Sequence, residues 1–246
     1  SLAEIAIDPE VLAKELAFEL EIDPLEQIDS ENFSKGNLNI TSECNEALKL
    51  LKGNREQRIQ GLRIFCEYRD KRSFPFLLPL LDQPCPVERM SAVYALGRNP
   101  CPSAVQKLVN LLETDDNAYV RRATAWSLAN YDNQIVLKPL INALKNDVAA
   151  VRLWSSSSLA EIGSISSENA QLAAEQLLIS LKIDNETGVR SNCIWSLSRL
   201  FEKLNETFQE MFVDECTKIA LFDKEPSVME EAKTALDSMG MESFYN

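Results

Sequence analysis

Val120-Arg121-Arg122-Ala123-Thr124-Ala125-Trp126-Ser127-Leu128 and Val189-Arg190-Ser191-Asn192-Cys193-Ile194-Trp195-Ser196-Leu197 are two copies of one pattern. Both open on Val-Arg, close on Trp-Ser-Leu and carry a small residue midway. Val151-Arg152-Leu153-Trp154, continuing through the serines 155–158 to Leu159, is a third copy, and Glu88-Arg89-Met90-Ser91-Ala92-Val93-Tyr94-Ala95-Leu96 aligns upstream. Weaker copies start at Gln57, ending in Phe65, and at Val228, ending in Leu236. The starts are separated by 31, 32, 31, 38 and 39 residues, a spacing that suits one helical hairpin per unit.

Each copy sets a small residue four positions after its first residue and an apolar residue four later again. Residues four apart share one helix face, so this is the packed face. Ala92, Thr124, Ser155, Cys193 and Ala232 fill the small slot, where a neighbouring helix can approach closely. Between the copies lie second amphipathic segments at 74–81, 103–112, 135–144, 169–181 and 208–221. Asp82, Asp115, Asp147, Asp184 and Asp223 follow them, placed to accept backbone N–H groups where the next helix starts. The recurring Arg is expected to bridge to the Asp of a neighbouring unit. One such hairpin cannot bury its apolar face alone, whereas a stack of them makes a continuous core that needs a cap at each end.

The first 53 residues read differently. Asp8-Pro9 is a helix-start signal followed by apolar Val11, Leu12, Leu16 and Leu20. Residues 22–39 read as an acidic loop, and Thr41 or Ser42 is expected to cap a helix ending near Leu51. The reading is therefore an acidic N-terminal arm with capping helices over 1–53, and a repeat array over 54–246.

Composition narrows the chemistry. The chain has no histidine, which removes the commonest general base, the usual partner of a nucleophilic Ser or Cys, and the commonest nitrogen ligand for metals. It has no P-loop, GxGxxG, SxxK or Gly-rich elbow, so the serines 155–158 read as a small-residue helix contact. No catalytic residue is assigned. The net charge of −13 is divided as −10 over 1–46, +4 over 47–201 and −7 over 202–246. That balance argues against nucleic acid as a partner. The densest basic stretch, Arg55 to Arg72, reads as a solvated helix face, one that could meet the acidic arm. No apolar run is long enough to span a bilayer. Six cysteines without CxxC spacing, and no signal-peptide pattern, lead to the expectation of a reducing, cytoplasmic location.

Val-Arg helices that follow an Asp after a Leu-rich helix resemble HEAT repeats, particularly the phycobilisome-lyase-type subgroup, over roughly residues 54–240. The resemblance implies an all-α fold: a right-handed α-solenoid of about six HEAT-like helical hairpins with an N-terminal helical arm. More narrowly, Pro84-Cys85-Pro86, the run from Tyr94 to Pro100, Tyr119-Val120-Arg121 and the run from Ala150 to Ser155 resemble a cyanobacterial group. That group's proteins engage A-type iron–sulfur scaffold proteins and are often described as bilin-lyase-related.

The resemblance also implies that the Val-Arg helices line the concave surface. Positions three, six and ten after each start then place Tyr94, Arg98, Trp126, Asn130, Trp154, Trp195 and Arg199 along one stripe. Trp, Tyr and Arg are the residues best able to anchor a partner. These rings either face a guest or pack between adjacent repeats; Trp126 and Trp195, recurring at one offset, are the stronger candidates for a guest. Cys85 and Cys101 are possible reactive thiols, each in a Pro-Cys-Pro turn near a helix N-terminus. About a dozen helical residues separate them by roughly 20 Å, so they cannot share a metal within one chain. The implied function is non-catalytic binding of another protein, an A-type iron–sulfur scaffold or a phycobiliprotein. No intrinsic cofactor is expected, and an iron–sulfur cluster shared with the partner stays open. The alternative is a bilin lyase or isomerase subunit, with Arg98 and Arg199 contacting pigment propionates.

Overall fold

A computed structural model describes residues 37–241; the expected helix after Asp8-Pro9 lies outside them. Among the described residues the regular structure is helical, with twelve α-helices joined by turns and short 3₁₀ segments. They pair in order. Helix α1 (Asn37–Leu50) packs on α2 (Arg55–Glu67), and α3 (Phe74–Leu77), flanked by 3₁₀ turns at Lys71–Ser73 and Leu78–Asp82, packs with those turns on α4 (Pro86–Arg98). The same pairing joins α5 (Val105–Thr114) to α6 (Ala118–Leu128), and α7 (Leu137–Asn146) to α8 (Ala149–Gly163). The last two pairs are α9 (Ser167–Ile183) with α10 (Thr187–Leu200), and α11 (Glu206–Phe222) with α12 (Pro226–Ser238). The even-numbered helices carry the copies of the motif, with Val-Arg itself on α6, α8 and α10. The fold is an all-α solenoid.

One sequence expectation needs correction at the first hairpin. Helix α1 begins at Asn37, so Thr41 and Ser42 are exposed residues within it and not its cap. Because α1 packs on α2, the boundary expected near residue 53 falls in the turn between the two helices of hairpin one.

The small slot does what its periodicity implies. Ala92, Thr124, Ser155, Cys193 and Ala232 are fully buried. Val120, Val151, Val189 and Val228 flank them on one side and Leu96, Leu128, Leu159, Leu197 and Leu236 on the other, all sealed from solvent. In hairpin one the slot is Gly61, where a Cβ would lie 2.9 Å from the Ala47 carbonyl oxygen. Thr124 bonds within its own helix from this slot: its Oγ1 donates to the Val120 carbonyl at 2.7 Å. Neighbouring even-numbered helices pack closely along the whole stack, while neighbouring odd-numbered helices touch only in part. A two-layer stack bends towards its tighter layer, so the Val-Arg helices form the concave wall.

Along one edge of the stack the recurring Arg clamps two successive loops. Arg89 meets Asp115 through two parallel bonds, Nε–Oδ2 at 2.7 Å and Nη2–Oδ1 at 2.8 Å. Arg121 meets Asp147 the same way at 2.8 and 2.7 Å, and Arg152 meets Asp184 at 2.7 and 2.8 Å. Arg190 reaches Asp223 with a single bond at 3.0 Å. Each Nη1 donates backwards to a carbonyl of its own hairpin's loop, at Gln83, Asp115, Asp147 or Asp184. The Asp side chains also accept loop backbone N–H groups, as expected: Asp115 from Asn117, Asp184 from Glu186 and Asp223 from Glu225, two residues on in each case.

Asp82 departs from this pattern, being exposed and paired with Lys107. The second hairpin's first helix is broken by Pro75 and Pro79 into 3₁₀ and α pieces, which changes the loop that should have presented Asp82. Arg58 instead takes Glu88, 2% exposed, at 2.6 Å. Glu88 occupies the slot where later copies have Val.

Bidentate pairs that lose one partner strand the other in a water-poor edge. Arg152→Ala is therefore expected to cost about 2–4 kcal/mol in urea unfolding, with Arg152→Ala/Asp184→Ala costing less than the sum of the single changes. Burial by itself would raise the Asp184 carboxyl, but the bonds from Arg152 and the Glu186 N–H, with the charges of Arg152 and Arg190, hold it below the ordinary carboxylate value. A depressed folded value means the contribution is present above about pH 4, the unfolded value, and is lost as pH falls through the folded one. Unfolding midpoints measured at pH 7 and pH 3 should fall less in Arg152→Ala than in the parent.

Candidate protein-binding wall

The concave wall is made by helices α2 to α12 of the even series, and its outward-facing side chains differ sharply in access. Tyr94, expected on the surface, is 3% exposed. The reason is the next repeat: the Trp126 ring lies 5.4 Å from the Tyr94 ring, tilted by 57°, and Arg122 Nη2 lies 3.4 Å from the Tyr94 hydroxyl. Trp126 and Trp154 are half-buried against the core. Trp126 can settle because the neighbouring helix offers Gly97, where a Cβ would stand 2.5 Å from Trp126 Cζ3. Arg98 donates through Nε to the Cys66 carbonyl at 3.1 Å and keeps its remaining surface partly open, and Asn130 is exposed beside the end of α6.

Trp195 is different. At 38% exposed it is the most open of the three tryptophans. Arg199, one turn on, stacks over its ring at 5.0 Å and reaches Glu161 on the preceding repeat at 3.0 Å. Around the ring is an open hollow of about 250 Å³, lined by Ser157, Gly188, Ser191, Asn192, Trp195 and Glu231. Asn192 fixes its floor by donating to the Leu153 carbonyl at 2.8 Å and to Ser156 Oγ at 3.0 Å, while Ser196 Oγ donates to the Ser156 carbonyl at 2.8 Å. A rigid polar floor, an accessible indole and the neighbouring Glu231 form an anchor point for a partner side chain.

The two halves of the stripe thus play different parts. Tyr94 and Trp126 join repeats and Trp154 packs against the core; Trp195 and Arg199, with exposed Asn130 and partly open Arg98, face outwards. Gly97, Arg122 and Gly188 lie off the three offsets counted along single helices, whereas Glu231, three after Val228, lies on one that the stripe omits. Gly97 carried a legible signal, a glycine inside a helix of good formers, which asks for a close neighbour. Glu231 comes from the next repeat, and its trace was its place three after Val228.

Among the thiols, Cys101 is corrected. It is 5% exposed, its Sγ lies 2.9 Å from Ser103 Oγ, and it precedes a three-residue 3₁₀ turn, so it is not an accessible reactive group. Cys85 is half-buried at the N-terminal cap of α4. Burial pushes the Cys66 thiol up to about 12 and raises those of Cys193 and Cys216 as well. Among the described residues no three Cys, Asp or Glu side chains converge to hold a metal ion, and no helix is long and apolar enough to cross a membrane. The serines 155–158 act as helix contacts: Ser155 fills the small slot and Ser158 Oγ donates to the Ala125 carbonyl on the previous repeat at 2.7 Å.

The family described as HEAT repeats matches residues 45–129 and 105–198. Among solved structures, a designed armadillo repeat protein in complex with the peptide (KR)4 is similar with a TM-score of 0.53 and 21% identity, covering 87% of this chain and 96% of that one. An engineered protein is similar at TM-score 0.52 and 20% identity, covering 89% and 98%. Yeast importin-beta is similar at TM-score 0.55 and 16% identity over 94% of this chain, which spans 32% of the importin. No curated protein matches in sequence.

Gly97→Ala should force the Trp126 ring and the α4–α6 contact apart, at a cost of about 1–3 kcal/mol. Trp126→Leu in the Gly97→Ala background should return part of that loss. Thermal melts of the two variants and the double test the pair directly.

Proposed function

Because this chain belongs to the HEAT-repeat family, we propose that it is a non-catalytic protein-binding scaffold whose concave wall holds a partner around Trp195 and Arg199. The observation that carries the reading is the open indole of Trp195, set on a hydrogen-bonded floor that Glu231 also lines and stacked by the Arg199 guanidinium, which reaches Glu161. A large aromatic ring left in water on a wall whose other rings are packed costs solvation, and a partner recovers it. The neighbouring repeats hold the floor rigid, so docking requires little ordering of the wall itself.

The partner proposed is an A-type iron–sulfur scaffold protein. Support for it comes from the resemblance carried by the Pro84-Cys85-Pro86 turn, the Tyr94–Pro100 run and the Val-Arg helices. On this reading any cluster is the partner's cargo, and this chain supplies shape, an anchor and polar contacts. The bilin-lyase reading has less support, because Arg199 is already engaged by Trp195 and Glu161, and Arg98 by the Cys66 carbonyl.

Calorimetric titration of the purified chain with a purified A-type scaffold, with and without its cluster, tests both parts. Trp195→Ala/Arg199→Ala is expected to weaken binding by about 10- to 100-fold, as removal of a hot spot does, with the melting temperature little changed. Equal affinity in that variant would remove the wall as the docking site. Absence of binding by the parent chain would remove the partner. A shift in the absorbance of free bilin mixed with the protein would favour the pigment reading instead.

A further inference from the structure

The convex face is not uniform along the stack. Counting back from the Asp that ends each outer helix picks out equivalent solvent-facing positions. On the third hairpin they are Ser103, Gln106, Asn110, Glu113 and Thr114, all polar. On the fourth they are polar apart from Ile135. On the last two hairpins three of these five positions turn apolar, the other two being Glu175 and Lys182 on one and Asp214 and Lys218 on the other. Leu172, Ile179 and Ile183 on α9 are 40%, 44% and 71% exposed, and Met211, Leu221 and Phe222 on α11 are 40%, 43% and 79% exposed. Leu172 and Met211, and likewise Ile183 and Phe222, stand 39 residues apart, the spacing of these two repeats. The two helices lie side by side: Gln171 donates to the Lys203 carbonyl at 2.8 Å just before α11, and Lys182 reaches Glu215 at 3.8 Å. Ile183 and Phe222 are the two most exposed large apolar residues among those described.

Apolar side chains grouped on one face of a monomer mark a contact surface, and the charge around these selects its occupant. Helices α9 and α11 together carry six carboxylates and two lysines. Both lysines are drawn to Glu215, at 3.8 and 3.6 Å, while Glu175, Glu210 and Asp214 stay exposed. We propose that this acidic, apolar outer face of the last two hairpins is a second docking surface, which takes a basic amphipathic helix of a partner protein. The chain's own residues 1–36 are a poor fit, with ten acidic and two basic side chains. A second copy would set the same carboxylates against each other. From Leu172 to Ile183 is eleven helical residues, about 16 Å, so the complement is a helix of three to four turns with apolar residues spaced i, i+4, i+7 and lysine or arginine flanking them. This surface lies on the opposite layer from the Trp195 wall and does not depend on the reading given to that wall.

The test uses the full chain and two fluorescein-labelled 18-residue peptides of identical leucine spacing, one with lysine and one with glutamate at the remaining positions. The lysine peptide is expected to bind, to weaken about tenfold or more in Ile183→Ser/Phe222→Ser, and to release as salt rises. It should bind Trp195→Ala/Arg199→Ala as it binds the parent. Both changes in the first variant are at exposed positions, and an unchanged melting temperature verifies its fold. Equal binding of the two peptides, no binding of either, or undiminished binding by Ile183→Ser/Phe222→Ser would overturn the proposal. So would a dimer of the free chain, seen by sedimentation, that the same variant dissolves; the face would then belong to self-association.

Discussion

A hairpin of two short helices has more apolar surface than its two helices can hide from each other, and this excess holds the molecule together. Each Val-Arg helix buries one side against its own partner and another against the Val-Arg helices before and after it. The close approach requires a small side chain in the middle of the shared face. Gly61, Ala92, Thr124, Ser155, Cys193 and Ala232 supply it, each from a different hairpin. A larger residue at any of these positions would push two layers apart at once. Stability is then a sum of neighbour contacts, and no single hairpin is expected to persist outside the array.

The edge clamps add direction to this adhesion. Apolar burial alone allows one hairpin to slide or rotate on the next, but a guanidinium that donates to its own loop and to the following carboxylate permits one register. The clamp repeats from Arg89 to Asp223, with two parallel bonds at Arg89, Arg121 and Arg152 and a single bond at Arg190. Its first step uses Glu88, a carboxylate in an apolar slot, and is the irregular member of the series. The even-numbered helices are thereby held at a spacing tighter than the odd-numbered ones, which curves the wall and sets Ser157, Trp195 and Glu231, from three consecutive repeats, around one hollow.

Most of the architecture was legible because the repeat is written at fixed offsets. Periodicity located the Val-Arg helices, the small slots, the intervening helices and the Arg–Asp edge, since each depends on residues a few positions apart. Asp82 failed because two prolines reshaped the loop that should have presented it. Thr41 and Ser42 looked like caps although the helix had already begun at Asn37. For the binding stripe, offsets identified the face but not the access. Tyr94 and Trp195 stand at the same offset, yet one is 3% and the other 38% exposed, because Tyr94 is covered by Trp126 and Arg122 while Trp195 is followed by Glu231 and a helix with no ring at that place.

The sequence by itself determined an all-helical stack, the number of hairpins, which side of each helix is packed, and the absence of histidine chemistry. These follow from local spacing and composition, which a linear reading captures. Only the tertiary structure decided which aromatic rings remain in water, that Cys101 is sealed, and that the outer faces of α9 and α11 combine into one apolar, acidic surface. Those properties depend on what the neighbouring repeat places against a side chain, and that neighbour stands 30 to 40 residues away with no local signal of its own.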